Sequence, residues 1–166
     1  MEKRETVNNL SIVIPTKDRR QDLYELFYDL CNQTDQVFEV VVVDASKQSK
    51  KDTVFDWKKE MGGGFELTYL VSQPGLSYQR NLGIKKSSGE IIGFLDDDVR
   101  ISNRLVETLK KKFNKYANID GLGGLDKLQK ASALRNIFSK LFLINGCGLF
   151  NNQGVSVSGT SRMAWE

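Results

Sequence analysis

Four short apolar runs, each followed by polar residues, alternate with stretches in which apolar residues recur every three or four positions. Leu10 to Pro15 reads as a buried strand that Pro15 stops. Residues 20–34 carry Leu23, Leu26, Phe27, Leu30 and Cys31 at helical spacing. Val37 to Val43 is a near-continuous run rich in valine that ends at Asp44, the pattern of a strand covered on both faces. A second helix is predicted over 50–61, with Val54, Trp57 and Met61, and the glycines 62–64 end it as a turn. Phe65 to Val71 reads as a third strand, broken by Gln73-Pro74-Gly75, and 77–87 as a short helix. Glu90 to Leu95 is a fourth strand that runs straight into Asp96-Asp97-Asp98. Ser102 is placed to cap a helix bearing Leu105, Val106, Leu109, Phe113 and Tyr116.

Strands alternating with helices predict an α/β fold, a mostly parallel sheet flanked by helices and joined by right-handed crossovers. Ligands bind such sheets beyond the carboxyl ends of the strands. Polar residues gather there: Thr16, Lys17 and Asp18; Asp44 and Ser46; Gln73; and the three aspartates.

After Gly121 the pattern changes. Apolar residues from Leu125 to Phe142 recur at helical spacing, with Lys127, Lys130, Arg135 and Lys140 between them. Such a basic amphipathic helix either packs on protein or lies in a membrane interface, where 127–142 would make peripheral contact near a lipid-linked acceptor. Val155 to Ser158 reads as a short strand.

Of the 166 residues, 40% are apolar and 27% charged, which fits a globular core. Twenty-four Lys and Arg against 21 Asp and Glu leave a net charge of +3, too small an excess to point to nucleic acid. The chain has no histidine, so triads, Cys–His pairs and histidine metal sites are excluded. Any metal must sit on oxygen, which favours magnesium, manganese or calcium. Cys31 and Cys147 form no short-spaced pair, and MEKRETVNNL has no apolar stretch of signal-peptide type; a cytoplasmic location is the expectation. No run approaches the length of a spanning helix.

Three adjacent carboxylates repel one another by roughly 4 kcal/mol per pair at 4 Å and an effective dielectric near 20. Something cationic must sit among them, or they form a solvated turn. Asp44 closes its strand either as a hydrogen-bond acceptor for a ligand or as the start of a turn. Arg80 either neutralises a diphosphate or braces the aspartates, and Asn81 either fixes a loop or lies on an exposed helix face. Lys17, Asp18 and Arg19 either line a pocket through their backbone or form a solvated loop.

In combination, four segments resemble glycosyltransferase family 2, an inverting family with the GT-A fold. They are LSIVIPTKDR (10–19), FEVVVVDAS (38–46), GLSYQRNLGI (75–84) and SGEIIGFLDDD (88–98), and the likeness spans about residues 9–110. The resemblance implies a nucleotide-sugar-binding part over about 9–124 and the start of an acceptor-side region over 125–166, together a single GT-A-like domain or fragment. It implies that Pro15, Thr16 and Asp18 border the base and ribose. Asp44 would contact the base, a uracil if the donor is a uridine diphosphate sugar, and Arg80 would sit near the base or diphosphate. Asp96 to Asp98 would be the Asp-x-Asp element, with Asp98 and Asp96 on a manganese or magnesium ion and Asp96 or Asp97 nearer the ribose and sugar. The acceptor would be a saccharide or a lipid-linked saccharide.

The family's catalytic Asp or Glu lies well downstream, and no counterpart is evident before Glu166. The expectation is therefore a chain cut short before its acceptor half, with the general base beyond Glu166. Two other readings stay open. One is a non-catalytic nucleotide-binding module. The other is a phosphatase of the haloacid-dehalogenase type, with Asp96 as nucleophile and Asp98 as acid/base.

Overall fold

A computed structural model describes residues 9–116, 119–123 and the backbone of 156–157. The chain divides into two compact units, Met1–Lys115 and Tyr116–Glu166. In the first, four parallel strands lie in the order β3-β2-β1-β4: β1 (Leu10–Thr16), β2 (Glu39–Asp44), β3 (Glu66–Val71) and β4 (Ile91–Phe94). The helices between and after them are α1 (Arg20–Cys31), α2 (Lys51–Glu60), α3 (Leu76–Lys86) and α4 (Leu105–Lys115).

The two central strands are buried along their whole length, as their unbroken apolar runs predict. β1 continues one residue past Pro15, which pairs with Val43. The ladder to β4 ends at Val13 and Phe94, so Pro15 sits where the strand has a neighbour on one side only and its missing N–H breaks nothing.

The chain steps from β1 to β2 to β3 in one direction and returns past β1 to β4. Right-handed crossovers then put α1 and α2 on one face and α3 on the other. On the α3 face Val13, Val41 and Val43 pack with Leu82, Leu70, Ile92 and Phe94. Gly83 lets α3 settle onto β1, since a Cβ there would lie 2.2 Å from Val13 Cγ1. Helix α1 buries Leu23, Leu26, Phe27 and Leu30, the stripe its spacing predicts. Phe27, Trp57, Phe65 and Phe38 form a chain of ring contacts beside it. Gly62, at φ 71°, follows the last turn of α2 and ends it, as the glycine run predicts.

Ser102 lies three residues before the first residue of α4, Leu105, and its Oγ accepts the Arg104 N–H at 3.3 Å, but it does not reach the N–H groups inside the helix. The buried Gln33 side chain instead accepts the Val106 N–H at 3.1 Å and donates to Ser102 O at 2.8 Å, riveting the end of α1 to the start of α4. Arg100 grips Asp29 through two nitrogens and Glu25 through a third, which anchors the segment after the aspartates to α1.

In the second unit β5 (Leu122–Gly123) pairs antiparallel with β6 (Ser156–Val157), inside the strand expected over 155–158. The amphipathic stretch at 125–142 and Glu166 lie outside the described residues. Among the described residues no helix is long and apolar enough to cross a membrane.

Candidate functional site

Strand order reverses between β1 and β4, which makes the crevice beyond their carboxyl ends the place where such a sheet binds ligands. Three contacts close across it. Thr16 donates its hydroxyl to Asp97 Oδ2 at 2.8 Å. Arg19 Nη1 lies 3.1 Å from Asp97 Oδ1 and 2.7 Å from Asp98 Oδ2, so one nitrogen bridges two carboxylates. Arg80 Nη2 meets Asp96 Oδ1 at 2.8 Å, and its guanidinium lies 5.8 Å from the centre of the Phe94 ring. Arg80 Nε is buried with no hydrogen-bond partner among the described residues.

The repulsion within the triplet is therefore met by two guanidiniums. The three carboxylates are not equivalent. The Asp97 side chain is 7% exposed, whereas those of Asp98 and Asp96 are 51% and 56% exposed. Only the last two are reachable from solvent. Burial pushes the Asp97 carboxyl above its ordinary pKa, while the Thr16 hydroxyl and the Arg19 charge pull against it. Asp97 and then Asp98 raise the pKa of Arg19 further. Among the described residues no three acidic or cysteine side chains converge as a ready-made metal cage.

A second cluster forms where β2 ends. Asp44 is buried, and its Oδ1 accepts the Ser46 N–H at 2.8 Å and the Ser46 hydroxyl. Its Oδ2 accepts the Tyr69 hydroxyl, which in turn accepts the Lys50 N–H at 3.0 Å. Burial, and secondarily Asp44, push the Tyr69 phenol up to about 12. Ser46 Oγ also accepts the Asp18 N–H at 2.8 Å. Asp18 has φ 56°, a left-handed conformation that Asp tolerates better than most residues, and this bond holds the turn in place.

Gln79 joins the two clusters. It is buried, and its side-chain nitrogen donates to Thr16 O at 2.9 Å and Val43 O at 2.7 Å, the carbonyls at the tips of β1 and β2.

Thr16, Arg80 and Asp96 to Asp98 thus come together at the β1/β4 crevice, and Asp18 and Asp44 share Ser46 beside it. Pro15 stays in the β1 ladder. Asn81 is exposed on α3. No pattern in the sequence marks the side chains of Arg19, Tyr69 or Gln79 as functional. Arg19 and Tyr69 stand apart in sequence from the carboxylates they touch, and Gln79 interrupts any apolar stripe on α3, so no periodicity marks them.

The sequence model of glycosyl transferase family 2 matches residues 11–135. An uncharacterised glycosyltransferase of Rickettsia bellii is 32% identical over 144 residues, which cover 80% of this chain and 20% of the relative. A Campylobacter jejuni enzyme described as GalNAc(5)-diNAcBac-PP-undecaprenol beta-1,3-glucosyltransferase is 30% identical over 117 residues, 68% of this chain and 37% of that one. Among solved structures, Staphylococcus aureus TarS 1–349 in complex with UDP-GlcNAc superposes with a TM-score of 0.55 at 22% identity, covering 71% of this chain and 36% of that one. The Pyrobaculum calidifontis mannosyltransferase PcManGT, in complex with GDP-Man and Mn2+, gives a TM-score of 0.59 at 19% identity, covering 73% and 36%. The fold is thus GT-A, as the sequence led us to expect. The chain spans between 20% and 37% of the length of these relatives.

Proposed function

Because this chain belongs to glycosyl transferase family 2, we propose that residues 9–115 bind a nucleoside-diphosphate sugar at the β1/β4 crevice, for transfer of the sugar to an acceptor hydroxyl with inversion. The observation that carries this reading is the closure of that crevice by Thr16, Arg19 and Arg80 on the three aspartates. Donor complexes of the two structural neighbours, one with UDP-GlcNAc and one with GDP-Man and Mn2+, support the class of ligand.

A divalent ion, manganese or magnesium, suits the donor set. Asp98 and Asp96 offer exposed hard oxygens, and magnesium typically uses one or two carboxylates with substrate phosphates completing its shell. Bound there, the ion would supply charge neutralisation at the departing diphosphate. Asp97 serves differently: with Thr16 and Arg19 it fixes the turn that presents its two neighbours. Arg80 stands beside Asp96 with a guanidinium suited to phosphate oxygens. Asp44, an acceptor when ionised, favours a base edge that offers an N–H, as uracil does, and Pro15, Thr16 and Asp18 border that base and the ribose. No described residue is assigned as the base that takes the acceptor's proton.

The family assignment takes the place of the phosphatase reading. The undecaprenol-linked substrate in the Campylobacter relative's name supports a lipid-linked saccharide as acceptor. Titration calorimetry with UDP, GDP and CDP, in manganese and in chelator, tests the donor site. The expected result is manganese-dependent binding of UDP that Asp98→Ala largely removes. Equal affinity in chelator would sink the metal assignment, and no binding of any nucleotide would sink the donor site. Binding without sugar transfer to any acceptor would favour the non-catalytic module.

A further inference from the structure

Arg19 occupies the position that a cation at Asp98 needs. Its Nη1 lies 2.7 Å from Asp98 Oδ2 while also holding Asp97. The two partners differ in hold. Asp97 is buried and tied to Thr16, whereas Asp98 is half-exposed and met by Arg19 alone among the contacts described. The backbone under Arg19 is fixed, since Asp18 N–H is tied to Ser46 and Arg19 O accepts the Leu23 N–H at 3.1 Å. The side chain above it is 52% exposed, with solvent beside it. Arg80 has less freedom, being 36% exposed and packed against Phe94.

A dication and a guanidinium within one oxygen's reach repel strongly, so both cannot serve Asp98 Oδ2 together. A displaced guanidinium would lie within the crevice where the diphosphate is read to sit, and its planar fork matches phosphate oxygens. We propose that Arg19 is an internal counter-cation, displaced from Asp98 by the incoming divalent ion and passed on to the donor's diphosphate. This rests on the donor-site reading above. It makes metal and nucleotide bind as a coupled pair: the ion alone must evict Arg19, whereas with nucleotide present the evicted side chain gains a new anion. Coupling of this kind is reciprocal.

The test uses the full chain and Mn2+ as probe, with free ion counted by its electron paramagnetic resonance signal, with and without UDP. Arg19→Gln should bind Mn2+ alone about threefold tighter or better than the parent, because no charge has to leave. The factor by which UDP strengthens Mn2+ binding should shrink in the same variant. Mn2+ should also raise the melting temperature of Arg19→Gln more than that of the parent. Lys85→Gln removes the same unit of charge from the exposed last turn of α3 and should match the parent. Arg19→Lys keeps the charge without the fork and should fall between the two, which keeps the idea testable if the glutamine variant does not fold. Mn2+ binding by Arg19→Gln that is no tighter than the parent's, in a parent that couples Mn2+ to UDP, would overturn the inference and leave the donor site standing. A parent that binds neither would overturn both.

Discussion

Glu39 at the amino end of the sheet and the exposed aspartates at its carboxyl end are held in opposite ways. At the amino end, Glu39 is buried and its Oε2 accepts the Ser11 hydroxyl, the Ser88 N–H at 2.9 Å and the Ser88 hydroxyl at 3.1 Å. Gly89 closes over the same spot, since a Cβ there would stand 2.6 Å from Ser11 N. Its partners are neutral and short, and the Glu39 group itself is buried. At the carboxyl end, Asp96 and Asp98 are half-exposed and matched by long arginine side chains. Neutral donors on the backbone and on serines make a permanent joint. Long guanidinium side chains on half-exposed carboxylates make one that, on the proposed reading, a ligand exchanges. On the proposed donor-site reading, Glu39 stays closed and the exposed aspartates are the pair a ligand reopens.

The contrast is open to attack at four points. The largest effect is expected for Glu39→Ala, which strands the buried Ser11 hydroxyl and takes the shared acceptor from the Ser88 hydroxyl and N–H. Denaturant unfolding should show a loss of about 3 kcal/mol, with nucleotide affinity of the folded protein unchanged. Weakened UDP binding at full stability would erase the distinction between the ends. Next, Gly83→Ala should cost about 2 kcal/mol by the same measurement, because its methyl must push Val13 and tilt α3. Asp98→Ala should reverse the Glu39 pattern. Its melting temperature without nucleotide should stay near the parent's, while UDP affinity in manganese falls about tenfold, or roughly 1.4 kcal/mol.

The smallest effect concerns Tyr69. A phenol ordinarily titrates near 10; here it holds its proton up to about 12. Between those values the folded protein binds more protons than the unfolded chain, so stability falls as pH rises. The contribution is complete below about pH 10 and is lost as pH passes about 12. Tyr69→Phe should flatten that decline in alkaline unfolding curves and cost about 1 kcal/mol at neutral pH. An unchanged alkaline slope would detach Tyr69 from Asp44.

What the sequence revealed follows from how local each signal is. The valines of β2 and the Leu23–Leu30 stripe of α1 report burial directly, and both elements lie where the pattern puts them. Pro15 reads as a stop because proline lacks a donor, yet β1 reaches Thr16 because the β4 ladder has already ended there. The Ser102 cap follows from adjacency, and its Oγ does meet the Arg104 N–H; the buried Val106 amide is taken instead by Gln33, which lies 73 residues earlier and which no local signal marks. The aspartates announced themselves by their mutual repulsion, but which guanidinium answers which carboxylate depends on β1 lying beside β4. That adjacency arises only from the reversal in strand order. Tyr69 sits on an edge strand whose sequence looks like ordinary packing, and nothing local marks its hydroxyl as the lid on Asp44.

Gln79 has a mechanical consequence for its neighbour. Its amide pegs α3 to two strand tips at once, which leaves the helix almost no play along or across the sheet. Arg80 is the next residue on that helix. A ligand that pulls on its guanidinium therefore pulls against the whole sheet, through a helix pegged at its first turn and seated at Leu82 and Gly83 rather than through a hinge.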